Sequence, residues 1–472
     1  MHKKRLIVGF IPMIFLVGCE VGPDYSPPKL DLPAPDAKSS AMDRDIDTFM
    51  SEKWWKIFSD SSINKLEDSA IAHNYDLKQA IANIEEARAA AGITAADLMP
   101  TVGALVSGDK THVSKKTATP MRDTVDYLGV SNVSYELDFF GKYRRANEAA
   151  RAILLSSRAA KEVVLLTITA DVAKTYFLLR ALDAKLAIAR RTLKTREESH
   201  RVYKSRLQNG YCTELDCLRI ESDMSSVEAT VHDLEAAVAK TENALGVLIG
   251  DSPRKIMSQK ISRGQSLEKL RITSNVPNGI PSNLLQRRPD VLQAEGQLIA
   301  ANAKIGEAIA MHFPSISLTG IFGFESKSLT DLFSNGSDLW KLSGGISLPI
   351  FSGGKISCMS AVAKARYKKT LALYEKTVQN AFREVLDALI SRRKNSEIVK
   401  SRTRQMNALK KSYNIAQTQK ESGLIGMLDL LDVERGLLAA EMELVGALQN
   451  HMNSIVDLCK ALGGGWNKNR LK

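Results

Sequence analysis

The sequence predicts a mixed α/β membrane protein, built as a tandem structural repeat with four strands and two very long helical hairpins in a chain of 472 residues. Three observations predict it. The first is an internal match: Asp76–Pro100 (DLKQAIANIEEARAAAGITAADLMP) aligns without a gap to Asp290–Pro314 (DVLQAEGQLIAANAKIGEAIAMHFP) at an offset of 214. Further matches follow in the same order, Phe139–Lys142 with Phe351–Lys355, Asn209-Gly210 with Ser422-Gly423, and Ala244–Gly246 with Ala461–Gly463, all at offsets between 212 and 217. An ordered series marks a duplication rather than chance likeness between helices. The second observation is that Lys142–Asn209 and Lys355–Ser422 each run 68 residues without glycine or proline, roughly 100 Å if continuously helical. The third is a set of short segments that alternate apolar with polar residues.

Composition agrees with long helices. Hydrophobic residues make up 44% and aromatics 6% of the chain. The formal charge of +12 raises nucleic acid as a partner, but Lys and Arg are interspersed with Asp and Glu along helical segments. Solvated helix faces account for that pattern, and no nucleic-acid partner is expected.

In chain order, residues 1–18 read as a lipoprotein signal peptide: a basic Met1–Arg5, then an apolar Leu6–Val17 too short to span a bilayer. It ends in Leu16-Val17-Gly18-Cys19, which resembles a bacterial lipobox, so Cys19 is the expected lipidation site. Acyl chains there give stable anchoring, and Glu20, in place of an Asp after the Cys, favours the outer membrane. No cofactor beyond that covalent lipid and no metal site are expected. Residues 19–50 form a lipidated Pro-rich linker. Repeat 1 covers 51–250, with a helix, strands near 100–112 and 125–139, and a helical hairpin whose tip lies near 210. A linker at 251–281 leads to repeat 2 at 282–462, with a helix, strands near 314–325 and 339–351, and a tip near 423, before a tail at 463–472. Helices this long need a neighbour along their whole length, half of it supplied by the returning helices near 213–249 and 426–462. Cys212 and Cys217 are five apart, which on one helix puts them on different faces and out of bridging reach; with Cys358 and Cys459 they are read as structural.

The strands bear on environment. Ile316, Leu318, Gly320, Phe322 and Phe324 share one face against Ser315, Ser317 and Thr319; Trp340, Leu342, Gly344, Ile346, Leu348 and Ile350 alternate with Lys341, Ser343, Gly345 and Ser347. In the first half Tyr127, Val133, Tyr135 and Leu137 alternate with Asn132, Ser134, Glu136 and Asp138. This period fits a membrane barrel with a wet lumen and equally a soluble sheet with one solvated face. The lipid anchor tips the choice to membrane. Four strands cannot close a barrel, and an open edge cannot sit in lipid. Two chains would supply eight strands, whose interior side chains fill; three would supply twelve and leave a channel, so a homotrimer is the smallest arrangement with a pore.

Several short stretches together resemble the TolC/OprM-type outer-membrane factors, in their lipoprotein branch. They are Cys19–Tyr25 (CEVGPDY), Trp54–Phe58 (WWKIF) with Asp60, His73–Leu77 (HNYDL), Ser134–Gly141 (SYELDFFG), Gln286–Val291 (QRRPDV) and Leu348–Gly354 (LPIFSGG). The resemblance covers nearly the whole mature chain. It implies a trimeric channel: a twelve-stranded transmembrane β-barrel continued by a periplasmic α-helical barrel that docks, through a periplasmic adaptor (membrane fusion protein), onto an inner-membrane pump of RND type. It puts both Gly turns at the periplasmic tip and makes Gly210, Tyr211, Gly423 and Leu424 candidate adaptor contacts. Asp429 and Asp432 match an acidic ring at the constriction, and Asp216 matches a residue that holds the tip closed. Where that comparison has a Tyr facing Asp216 and an Arg after the second Gly, this chain has Lys420 and Ile425; a Lys420–Asp216 ion pair is the candidate latch.

Other readings stand beside this one. Asp429 and Asp432 equally suit a helix first turn, and Thr213-x-x-Asp216 resembles a capping box. An outer-membrane component of type I protein secretion and an envelope-anchored coiled-coil scaffold share the long helices; the scaffold leaves the amphipathic strands and the duplication unexplained. An enzyme is not expected, since the seven His are scattered and HExxH, GxSxG and phosphate-cradling loops are missing.

Overall fold

The computed structural model describes residues 20–31, 53–112, 114, 116, 124–258, 261–270, 272 and 284–465. Cys19, the signal peptide and parts of the linkers and tail lie outside the described residues. The elements run α1 (Ser61–His73), α2 (Tyr75–Ala96), β1 (Thr101–Thr111), β2 (Thr124–Leu137), α3 (Lys142–Gln208), α4 (Glu214–Leu248), α5 (Pro253–Ser258), α6 (Leu284–Arg287), α7 (Pro289–Ala310), β3 (Ser315–Ser326), β4 (Asp338–Ser347), α8 (Lys355–Glu421) and α9 (Met427–Ala461). None of the described helices is long and apolar enough to cross a membrane. The chain divides into two compact units.

One unit comprises Glu85–Ser156 and Glu295–Tyr374 with the described residues up to Lys29. Its four strands pair in chain order, all antiparallel, so β2 and β3 join the two repeats at the sheet centre while β1 and β4 are edges. The register aligns Val102, Val133, Gly320 and Leu342 across one face, and Ser131, Phe322 and Trp340 beside them. Thr101, Ser134, Thr319 and Ser343 form a hydroxyl row on the other face, with Thr101 Oγ1 and Ser134 Oγ 2.8 Å apart. On the first face Val102, Val106, Phe322, Trp340, Leu342 and Ile346 are 64% to 81% exposed. The fourth strand stops at Ser347, short of the expected Phe351, because Pro349 has no N–H to donate to a ladder.

At the base of this sheet the residues after Cys19 are clamped. The Val21 N–H donates to the Phe140 carbonyl (3.2 Å), and Asn302 Nδ2 donates to the Pro23 carbonyl (2.8 Å). The buried Arg145 pairs with Glu20 (3.2 Å) and Asp24 (2.7 Å). Gly22 adopts φ +103°, and a Cβ there would lie 2.4 Å from the Gly306 Cα. That backbone-to-backbone contact explains why both positions are glycine.

The other unit holds Ser157–Ala294, Glu375 onward and the described residues from Leu30 to Ile84. Its main core joins Trp54, Phe58 and Ile63 to Tyr176, Phe177 and Leu179 of α3, Leu245 of α4, and Ile455, Val456 and Leu458 of α9. Several residues of the recognised stretches are fasteners here. Buried Asp60 caps α1 through the Ser62 N–H (2.8 Å) and accepts from the Tyr176 hydroxyl (2.6 Å) and the Gln265 N–H (3.1 Å). Asn74 caps α2 and donates to the Leu248 carbonyl (2.8 Å). Arg288 binds Asp290 (2.6 Å), Glu384 (2.7 Å) and the carbonyl of Ala461 at the end of α9 (3.0 Å).

Candidate functional site

The two hairpin tips of the helical unit are built to one pattern. At the end of α3 the Gly210 N–H donates to the Leu207 carbonyl (3.0 Å) and the Tyr211 N–H to that of Arg206 (2.8 Å). At the end of α8 the Gly423 N–H donates to Lys420 (3.0 Å) and the Leu424 N–H to Gln419 (2.8 Å). These are Schellman closures, and both glycines sit at φ +74°, where a side chain would be strained. Nothing lies within 4 Å of where either Cβ would be. Tyr211 and Leu424 follow as apolar side chains 81% and 73% exposed, which gives each tip a bare glycine beside a projecting apolar group.

Three residues beyond each glycine the next helix is capped. Thr213 caps α4 as a full capping box: its hydroxyl accepts from the Asp216 N–H (3.2 Å), and Asp216 Oδ2 accepts from the Thr213 N–H (3.2 Å). Gly426 occupies the same place before α9 and has no side chain, so half of the box remains: its N–H donates to Asp429 Oδ2 (3.0 Å). The Asp216 carboxyl is held below the ordinary carboxylate range, chiefly by its bonds from Thr213. Asp432 is one turn on, largely exposed, with Arg435 Nη1 at 3.4 Å.

The candidate latch is corrected within the chain. Lys420 and Asp216 form no ion pair: Asp216 is turned into its own helix cap, while Lys420 Nζ reaches Met427 Sδ (2.6 Å) and lies 5.8 Å from the centre of the Tyr203 ring. Burial lowers the Lys420 ammonium's pKa, and repulsion from Arg206 lowers it further. The cysteine expectation is also corrected, because Cys212 lies before α4 and does not share a helix with Cys217.

What joins the hairpins above the tips is a charge cluster that was not among the expected site residues. Arg196 of α3 is fully buried, with Nε 2.6 Å from Asp223 Oδ2 of α4 and Nη1 against Glu434 of α9. Arg435 Nε donates to the other Asp223 oxygen (2.6 Å) and so links Asp223 to Asp432. Farther along, Arg191 pairs with Glu441 and Lys174 with Asp457. These cations of α3 face carboxylates of α9, and each pair of residue numbers adds to nearly the same value, as antiparallel helices require. That constancy is the signal by which sequence could have found them, once the two helices were known to be neighbours. Among the described residues no group of three or more His, Cys, Asp or Glu side chains is arranged to hold a metal ion.

Comparison with known proteins gives a consistent result. A family model described as outer membrane efflux protein matches residues 66–251 and again 280–464, once in each repeat. The probable efflux pump outer membrane protein TtgC of Pseudomonas putida KT2440 is 33% identical over 469 residues, covering 98% of this chain and 96% of its own. The probable outer membrane lipoprotein SilC of Salmonella typhimurium is 31% identical over 468 residues, covering 99% and 100%. The crystal structure of the Campylobacter jejuni CmeC outer membrane channel superposes with a TM-score of 0.89 at 26% identity, over 95% of this chain and 96% of that one.

Proposed function

The chain belongs to the outer membrane efflux protein family, and we propose that three copies form the passive outer-membrane exit duct of a tripartite efflux system, gated at the helical tips. The protein is an outer-membrane efflux channel, working with an inner-membrane pump and a periplasmic adaptor. The observation that carries the trimer is the sheet. Its exposed apolar face suits lipid, and its two edges, β1 and β4, leave backbone groups that hydrocarbon cannot satisfy. Pairing β4 of one copy with β1 of the next satisfies them, and three copies give twelve strands with the hydroxyl face lining a wet lumen. The clamped Glu20–Asp24 segment tethers the lipid of Cys19 close to that sheet.

At the tips, Asp432 and Asp429 supply the acidic ring, and the Arg196–Asp223–Arg435 cluster, with Glu434, takes the part first given to Lys420 and Asp216. It ties the first hairpin to the second inside each protomer. Gly210-Tyr211 and Gly423-Leu424 offer the adaptor a bare backbone and an apolar knob. The pump is of RND type in this reading, and no enzymatic step is involved. Planar-bilayer recording tests the reading: purified trimer is expected to show small, cation-selective currents that grow when Arg196 and Arg435 are neutralised. A trimer silent both as purified and after neutralisation would refute the duct.

A further inference from the structure

We propose that Cys212 and Cys217 form an intramolecular disulfide across the N-terminus of α4, closing the first hairpin tip with a covalent staple. Thr213 is the N-cap of α4, so Cys212 stands just before the cap and Cys217 is the fourth helical residue. Side chains at these two positions often pack against each other at a capped helix start, the arrangement known as a hydrophobic staple. The capping box is present here in full.

The second repeat supplies an independent view of the same pair. Thr213 and Gly426 are equivalent caps, which makes Ile425 the equivalent of Cys212 and Leu430 the equivalent of Cys217. Leu430 is buried in the tip cluster and Ile425 packs against that same cluster. The first tip thus carries two thiols where the second carries two apolar side chains that share one cluster. Cys212 also packs against the tip cluster, which includes Ile220, one turn beyond Cys217 on the same face of α4. In the structure both thiols are free and the Cys212 thiol donates to the Tyr203 carbonyl (3.4 Å), so the bond forms on rotation of the Cys212 side chain from that carbonyl toward α4. Cys358 and Cys459 have no such placement; the first is exposed on α8 and the second buried in α9.

Location supplies the chemistry. The hairpin of an outer-membrane protein is exported into an oxidising compartment, where thiols are converted to disulfides. The oxidant is a protein disulfide of an exported thiol oxidase. The partly exposed Cys212, as thiolate, attacks one sulfur of that disulfide, giving a mixed disulfide and releasing one oxidant thiol. Cys217, as thiolate, then attacks the Cys212 sulfur, forming the Cys212–Cys217 bond and releasing the second thiol. Two electrons and two protons pass from the cysteine pair to the oxidant, which leaves as a dithiol. The resulting ring encloses Thr213 and Asp216 and fixes the start of α4 beside Gly210-Tyr211.

The test uses the full-length protein purified from cells with an active periplasmic thiol oxidase. It is quenched in acid, denatured, alkylated without reductant, digested and analysed by mass spectrometry. The expected result is a Cys212–Cys217 cross-linked species that is 2 Da lighter than the dithiol form and takes up label at both residues after dithiothreitol. Cys358 and Cys459 are alkylated without reduction, and Cys212→Ser leaves Cys217 fully alkylated. Alkylation of both Cys212 and Cys217 in the unreduced protein, or linkage of either to another chain, overturns the proposal. The thiol readout does not depend on conductance, so it stands or falls separately from the gate.

Discussion

Asp216 and Asp429 hold the same position in two different tips: each is the third residue of its helix, and each accepts the backbone N–H of the residue that caps it, Thr213 at 3.2 Å and Gly426 at 3.0 Å. The duplication has therefore preserved a capping carboxylate, and the family resemblance separated these two residues into a latch and a ring. A carboxylate engaged with a helix N-terminus has part of its charge answered by the helix. Asp432, one turn farther on, is engaged among the described residues only by the long contact from Arg435.

Unequal shares in cation block follow from that difference. Multivalent cations added on the periplasmic side should block the channel, and Asp432→Ala should raise the half-blocking concentration about fivefold, the factor for ~1 kcal/mol of Coulomb attraction. Asp429→Ala should raise it less while loosening the first turn of α9. Single-channel recordings with trivalent cations measure both. Equal block in the parent and in Asp432→Ala would remove Asp432 from the ring.

Acid should open the cap of α4 in a defined direction. The bonds from Thr213 depress the folded pKa of Asp216 below its unfolded value of about 3.9. Its contribution is therefore present above about pH 3.9 and lost as pH falls through the lower folded value. Amide exchange of the peptide around 213–219, corrected for the intrinsic rate, should show protection at pH 5 that disappears at strongly acid pH. Asp216→Asn should abolish that pH dependence, and unchanged protection in acid would show that the box does not depend on the charge.

Much of the fold was legible, and the reasons are local. Alternation placed Ile316 through Phe324 and Trp340 through Ile346 on one face because the strand period is two, and register then carried that face across all four strands. The end of β4 was overrun because Leu348 and Ile350 continue the alternation, while the missing donor at Pro349 decides the matter. Asp60, Asn74 and Arg288 were recognised as family stretches, but their work as cross-braces depends on partners 96 to 205 residues away. Within the chain the Lys420–Asp216 pair is not made, for the same kind of reason. Sequence spacing fixed the neighbourhood of the two tips and left the direction of each side chain open, and Asp216 had a nearer partner in Thr213.

The buried cluster predicts a large, asymmetric mutational effect. Arg196→Ala leaves Asp223 and Glu434 facing a buried gap, and removing one partner of a buried pair costs about 3–5 kcal/mol. Arg435 is half exposed, so Arg435→Ala should cost far less. Denaturant unfolding of the two variants checks the ranking. Replacing Arg196 by Met together with Asp223 and Glu434 by Leu should restore stability while the tip opens more readily. Equal losses for Arg196→Ala and Arg435→Ala would show that the cluster is solvated.

Glu67 predicts the opposite sign. It lies in the stripe of α1 that also buries Ile63, Leu66 and Ala70, it is fully buried, and neither carboxylate oxygen has a hydrogen-bond partner among the described residues. Burial raises its pKa well above the ordinary value, with the charge of Asp68 adding to the shift. A carboxyl whose folded pKa is raised stabilises the fold fully below its unfolded value of about 4.3, and that contribution is lost as pH rises through the folded value. Stability should therefore increase on mild acidification until the exposed carboxylates begin to protonate. Glu67→Gln should flatten that dependence without changing the packing. Glu67→Met fills the same space with no unsatisfied polar atom and should raise stability near neutral pH by about 1–3 kcal/mol. Thermal or denaturant midpoints of the three proteins between pH 5 and 8 decide it. If Glu67→Met is less stable than the parent across that range, the carboxyl has a partner that the fold conceals, and its burial is structural support rather than a cost.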